Sequence, residues 1–205
     1  GPDGLCDDGR AVILRADAPG KGGEAYEIEV SENRITVSGE SDAGVFYGIQ
    51  TLRKSVSVHE GAGAVELPAV EINDSPRFSY RGMMLDVGRH MFSMDEIKTY
   101  IDMLALHNIN RFHWHLSEDQ GWRIEIKKYP LLTEKGAWRK FNSHDRECIR
   151  QSKTDNNPDM AIPEDKIRIV EGDTLYGGYY TQEDIKDVIA YAKIRGIDII
   201  PEIDM

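Results

Sequence analysis

The sequence predicts a mixed α/β protein in which a small α+β unit precedes parallel strands joined through helices. Three observations carry this. Residues 81–130 read as strand, helix, strand; the segment from Thr181 to Ile203 repeats helix then strand; and the residues before Asp74 alternate with the period of strands around one helical stretch.

The strands of the first unit are expected at Ala11 to Leu14, at Tyr26 to Val30, where Tyr26, Ile28 and Val30 alternate with polar residues, and at Ile35 to Val37. Ser31 to Asn33 supplies the turn between the last two. A helix over about residues 42–56 places Val45, Phe46, Ile49 and Leu52 on one face. A further short strand is expected from Val65 to Ile72, giving antiparallel strands with a helix on one face. Turn formers and a proline at Asn73-Asp74-Ser75-Pro76 interrupt both patterns and divide the chain into domains 1–73 and 74–205.

Beyond that boundary, Gly82 to Val87 is a short apolar run broken only by Asp86, which fits a buried parallel strand. Ser93 and Glu96 form a capping box, because the serine oxygen can accept an orphan amide while the glutamate reaches back to the cap. The helix that begins there carries Ile97, Ile101 and Leu104 on one face, and His107-Asn108 ends it. From Arg111 to Leu116 strand alternation returns, with Phe112, Trp114 and Leu116 on one side and His113 and His115 on the other. Strand, crossover helix and parallel strand make a right-handed unit.

Between Ala137 and Tyr180 the chain is polar and irregular, with no sustained periodicity, and is read either as a functional loop or as a surface insertion. Thr181 and Asp184 then cap a helix whose stripe is Ile185, Val188, Ile189 and Ala192, and Gly196 stops it. Ile197 to Ile203 follows as a strand. Pro201 is tolerated there only near a strand end.

With 36 acidic against 25 basic residues the net charge is -11, and no basic run is interleaved with aromatics. Nucleic acid is therefore not an expected partner. No apolar run approaches the roughly 18 residues that span a bilayer. Gly1-Pro2 fits a protease scar, in which case any native targeting segment is expected to have been removed. Cys6 and Cys148 lack metal-type spacing and read as two unpaired thiols.

Parallel α/β proteins build chemistry at the carboxyl ends of their strands. Arg89-His90 follows the first such strand, and is either a substrate clamp, using the rigid donor fork of arginine, or a surface arginine in a connecting loop. His113 and His115 face the same way, which is the spacing of a metal-binding pair or of two hydrogen-bonded pocket residues. Glu118-Asp119 at the mouth of the second strand can orient a base, hold a metal, bind sugar hydroxyls or simply be solvated. Trp122 nearby favours a carbohydrate, whose apolar faces stack on indole, and Trp114 and Trp138 read as packing residues. Glu202 and Asp204 share the strand-end position of Glu118.

The ordered set from Arg81-Gly82 through Leu85-Asp86, Arg89-His90, His113-Trp114-His115-Leu116 and Asp119-Gln120-Gly121-Trp122-Arg123-Ile124 continues with Gly178-Tyr179-Tyr180-Thr181 and Pro201-Glu202-Ile203-Asp204-Met205. It closely resembles the family 20 glycoside hydrolases, the β-N-acetylhexosaminidases, over about residues 74–205. The preceding unit resembles the small non-catalytic domain of that family.

The resemblance implies a (β/α)8 TIM barrel, of which this chain carries the first three βα units. It also implies a pocket for a terminal β-linked N-acetylglucosamine or N-acetylgalactosamine. Arg89 matches the arginine that binds sugar hydroxyls. Glu118 stands where most members carry aspartate, which keeps the charge on an arm one methylene longer, and His115 and Asp119 fall beside it in supporting roles. The family reaction is substrate-assisted and retaining: the sugar's acetamido oxygen attacks the anomeric carbon, an aspartate orients the acetamide, and a glutamate protonates the leaving oxygen. Neither metal nor cofactor is expected.

That Asp-Glu pair lies in a His-x-Gly-Gly-Asp-Glu type motif after a later strand, and the 205 residues contain no such motif. The catalytic pair, and the histidine that partners the Glu118 position, are thus expected downstream, no catalytic residue is expected within this chain, and the chain alone is expected to be inactive. The substrate class implies N-acetylhexosamine-containing glycans as partners and a periplasmic or secreted setting. An open barrel edge at Ile197 to Ile203 implies self-association. The alternative is a non-catalytic carbohydrate-binding or interaction module.

Overall fold

A computed structural model describes residues 9–17, 23–56 and 66–204. The chain divides into two compact units, one of Gly1–Arg81, Asp102–Asn110 and Ile194–Ile197, the other of Gly82–Ile101, Arg111–Lys193 and Asp198–Met205.

In the first unit, strands β1 (Ala11–Arg15), β2 (Tyr26–Ser31) and β3 (Arg34–Gly39) precede helix α1 (Asp42–Ser55) and strand β4 (Val70–Asp74). The sheet order is β1-β3-β2-β4, with α1 packed on one face. Ser41 caps α1 by accepting the Gly44 amide. Ile28 stands opposite both Val37 and Ile72, and Tyr26, Ile28, Val30 and Val37 share a core with Val45 and Tyr47 of α1.

Two expectations are corrected here. The sheet is mixed rather than antiparallel, because β1 pairs in parallel with β3. Alternation along a strand encodes which face is buried, whereas direction follows from the neighbour it meets, and β1 joins the sheet beyond β3. The fourth strand begins at Val70 rather than at Val65, which lies outside the described residues, as does Cys6. Pro68 lacks an amide hydrogen and has no place in the ladder.

Strand β5 (Gly82–Asp86) of the second unit leads through α2 (Met94–Leu106) to β6 (Arg111–Glu118) of the same unit. The expected cap is present: Ser93 Oγ accepts the Glu96 amide at 3.3 Å while Glu96 accepts the Ser93 amide at 2.6 Å. Ile97 and Ile101 on α2 are fully buried. After β6 come a two-residue strand β7 (Gly121–Trp122), α3 (Leu131–Glu134), β8 (Trp138–Lys140), α4 (Ser143–Thr154), β9 (Ile167–Val170), β10 (Asp173–Gly177), α5 (Gln182–Lys193) and β11 (Asp198–Ile203). Strands β5, β6 and β11 are parallel in the order β11-β6-β5, so β6 is central. Its Phe112 and Trp114 are fully buried, and Leu116 nearly so.

The expectation of a buried first strand fails: Met83 and Met84 are each 50% exposed. Among the described residues β5 pairs only with β6, so it is an edge strand. The stretch between Ala137 and Tyr180 is also not irregular. It forms a three-stranded antiparallel sheet, β8-β10-β9, and the 12-residue α4, which Asn142 and Asp145 open with a reciprocal capping box.

Candidate active site

The carboxyl ends of β5 and β6 bring the sequence-selected polar residues together. The β5–α2 connection passes so close to β6 that a Cβ on Gly88 would lie 2.8 Å from Glu118 Cβ, a position only glycine can fill. Arg89 thereby reaches back over the strand ends. Its guanidinium pairs with Asp86 through Nη1 and with Glu118 Oε1 through Nη2 at 2.7 Å, while half of the side chain stays exposed. Burial would raise the Asp86 pKa, but hydrogen bonds from the Arg89 amide and guanidinium outweigh it and hold the carboxyl below its ordinary range. Asp86 in turn raises the pKa of Arg89.

Glu118 reaches Arg89 on its longer arm, and its other oxygen accepts the Asp119 amide at 3.3 Å. Asp119 itself is exposed, in a two-residue turn: Glu118 pairs with Gly121 and Ser117 with Trp122, so β6 and β7 form a tight hairpin rather than an open loop. Trp122 donates its indole N–H to the Ile124 carbonyl at 2.7 Å.

The alternation expected on β6 directs His113 and His115 to the same side, where both turn toward Glu202 of β11. His113 Nε2 lies 2.6 Å and His115 Nδ1 3.4 Å from Glu202 Oε2. His115 is buried, and its Nε2 donates to the Ser117 carbonyl at 2.7 Å. That bond places a hydrogen on Nε2 and leaves Nδ1 to face the glutamate. The end of β11 is tied down by Ser117, whose hydroxyl accepts the Asp204 amide at 2.8 Å and donates to the Asp204 carbonyl at 3.1 Å. The pairing of β11 with β6 shifts register between Glu202 and Ile203, leaving Leu116 without a counterpart.

His115, Glu118 and Asp204 each place one ligand atom within 4.8 Å of the others. Glu118 is already committed to Arg89, and Nε2 of His115 to a carbonyl. The arrangement is that of an arginine fork held between carboxylates, with an acid–imidazole cluster beside it. Such a fork suits vicinal hydroxyls of a ligand.

Sequence reasoning selected Arg89, His115, Glu118 and Asp119 and missed two residues of the same network. Asp86 was passed over as an interruption of a strand, although a lone acid at the end of an apolar run is itself a signal. Arg123 was quoted only within a motif. It is fully buried and donates to four main-chain carbonyls. A Cβ on nearby Gly121 would sit 2.3 Å from Arg123 Cζ, so a larger residue there would require the guanidinium to shift.

Comparison with known proteins bears on this geometry. Residues 78–205 match the model for "Glycosyl hydrolase family 20, catalytic domain", and residues 6–75 match that for "Glycosyl hydrolase family 20, domain 2". A β-hexosaminidase of Porphyromonas gingivalis is 43% identical over 188 residues, covering 89% of this chain and 20% of that protein. One from Vibrio furnissii is 39% identical over 199 residues, covering 97% and 29%. The chain therefore spans less than a third of the length of these relatives. A solved exo-β-N-acetylglucosaminidase of Vibrio harveyi, in complex with N-acetylglucosamine, superposes with a TM-score of 0.73 at 40% identity, covering 94% of this chain and 27% of that one. The β-N-acetylhexosaminidase of Streptomyces coelicolor gives a TM-score of 0.72 at 31% identity, with 95% and 34% covered. The likeness thus runs along nearly the whole chain, which belongs to glycoside hydrolase family 20.

Proposed function

We propose that this chain supplies the auxiliary domain, residues 1–73, and the first three βα units, within residues 74–205, of a (β/α)8 barrel in an exo-acting β-N-acetylhexosaminidase. That enzyme would release terminal non-reducing β-linked N-acetylglucosamine or N-acetylgalactosamine by the substrate-assisted, retaining route. The parallel order β5, β6, β11, which follows the chain order, with α2 and α5 as crossovers, supports the barrel reading.

The observation that carries the proposal is the half-exposed Arg89 fork at the carboxyl ends of β5 and β6, braced from behind by Asp86 and Glu118. In this reading Arg89 donates to hydroxyls of the bound sugar, and the two carboxylates orient the guanidinium and balance its charge. Asp119, through its amide, and His115, beside Glu118, support that carboxylate. The proton donor and the acetamide-orienting acid are assigned to a part of the polypeptide outside these 205 residues. A glycan substrate of this class also argues for a periplasmic or secreted setting.

The test is hydrolysis of an aryl N-acetyl-β-glucosaminide by the product of the complete gene. Turnover with retained anomeric configuration is the expected result, and no turnover of either the gluco or galacto substrate counts against the enzyme. The 205-residue chain alone should release no aryl alcohol above buffer. Hydrolysis by it would overturn the assignment of the acid to another part of the protein.

A further inference from the structure

Arg123 presents an unusual electrostatic arrangement within the second unit. Its side chain is fully buried, and its guanidinium donates to main-chain carbonyls: Nε to Val87 at 3.0 Å, Nη2 to Gly88 at 2.9 Å, and Nη1 to Ala137 at 2.7 Å and Gly178 at 3.0 Å. Among the described residues no carboxylate pairs with it. Burying a cation without a counter-charge is expensive, and burial pushes this pKa down to about 10. An apolar residue would bury no charge there but would take this donor away from all four carbonyls. What Arg123 supplies instead is a rigid fork that joins separate stretches of backbone.

Two of those carbonyls belong to the loop that carries Arg89, and the rest of that loop is held in the same way. The Val87 amide donates to the His115 carbonyl at 3.1 Å. Arg139 Nη2 donates to the Arg89 carbonyl at 3.4 Å. The Tyr176 hydroxyl accepts the Met91 amide at 2.8 Å and shares a hydrogen bond with His90 Nδ1 at 3.2 Å, and the Tyr180 hydroxyl donates to the Phe92 carbonyl at 2.8 Å. Each residue from Val87 to Phe92 is therefore tethered from outside the loop, mostly by side chains between Arg123 and Tyr180.

We propose that Arg123 and Tyr176 are positioning residues for Arg89. They fix the Val87–Phe92 loop so that the guanidinium stands ready for the sugar, and its ordering is not charged against binding. The proposal rests on the assignment of Arg89 to sugar binding made above. It gives the segment between Ala137 and Tyr180 a task, which is to brace the arginine loop from the side.

The test uses the complete gene product carrying Arg89→Ala, Arg123→Lys, the two together, and Tyr176→Phe. Arg123→Lys should raise KM for the aryl glycoside by about ten- to a hundredfold with a smaller fall in kcat, and Tyr176→Phe should raise it by about fivefold. Because Arg123 acts through Arg89, the double variant should lose no more kcat/KM than Arg89→Ala alone; losses that multiply would overturn the proposal. Hydrogen exchange of peptides covering residues 86–92 gives a readout independent of turnover, and should be about tenfold faster in both Arg123→Lys and Tyr176→Phe. Unchanged exchange, or faster exchange with an unchanged KM, overturns it. Should Arg123→Lys fail to accumulate, Tyr176→Phe carries both measurements. An active Arg89→Ala enzyme with wild-type KM would instead sink the sugar-binding role of Arg89, and exchange alone would then decide whether the loop is clamped.

Discussion

An arginine flanks β5 on each side, and the two are used in opposite ways. Arg81, just before the strand, belongs to the first unit and has its whole fork engaged. Nη1 and Nη2 meet Glu24 at 2.9 and 3.3 Å, Nη1 also reaches the Phe78 carbonyl, and Nε donates to the Asn108 carbonyl at 2.7 Å. Glu24 accepts further bonds from Asn110 and Tyr47, and the Tyr47 ring lies 5.3 Å from the Arg81 guanidinium carbon. Arg89, just after the strand, has two carboxylate partners and half its side chain in solvent. A fork saturated by its own chain contributes stability, whereas a fork braced on one side with half of it in solvent is, in the reading proposed above, the one that meets the sugar.

The largest expected effect breaks this contrast at the exposed side. Arg89→Ala in the complete gene product should lower kcat/KM for an aryl N-acetyl-β-glucosaminide by about a thousandfold, through lost hydrogen bonds to sugar hydroxyls, with little change in thermal midpoint. A variant that is instead poorly folded and kinetically normal would reverse the roles of the two arginines. Arg81→Ala should do the converse. Its side chain is only 16% exposed, and removing it strands Glu24, so a loss of about 2–4 kcal/mol in chemical denaturation is expected with kcat/KM within about twofold of wild type.

Much of this was legible in the sequence, and the failures share a cause. Period and capping identified α2 and α5 because Ser93–Glu96 and Thr181–Asp184 mark their starts locally. They placed His113 and His115 on one side of β6 by alternation alone. What they missed depends on neighbours: whether β5 is flanked on one side or two, whether β1 runs with or against β3, and where the Arg123 fork lands. The segment containing α4 looked irregular because its helix is largely polar, yet Asn142 and Asp145 carry the same kind of start signal. The Arg81–Glu24–Asn110 network joins residues far apart in sequence, beyond the reach of any local pattern.

The two networks should also part company in acid and in salt. Burial would raise the Glu24 pKa, but bonds from Arg81 and Asn110 outweigh it, so its folded pKa lies below the unfolded one. A depressed acid contributes stability above its unfolded pKa, near 4.3, and loses it as pH falls through the folded value. Glu24→Gln should therefore flatten the acid limb of the stability–pH curve. Asp86 is depressed in the same direction by Arg89. Its partner is half exposed, so about 1 M salt should move the Asp86 titration, followed by carboxyl carbon NMR, back toward normal while leaving Glu24 nearly in place. Equal salt sensitivity would erase the distinction.

The smallest effect is the sharpest comparison, because the same chemical change is made in both networks. Glu24→Asp shortens a carboxylate that must meet Arg81, Asn110 and Tyr47 at once, so a single cut loosens contacts to three partners together. About 1–2 kcal/mol of stability should go with it. Glu118→Asp makes the same cut beside Arg89 and installs the aspartate that the family resemblance leads one to expect there. Asp86 still holds the other arm of the guanidinium, and water can occupy the gap. KM should change by about threefold or less and stability hardly at all. If Glu118→Asp instead costs as much as Glu24→Asp, the Arg89 fork is a closed structural network like that of Arg81, and its exposed donors would not be a sugar site.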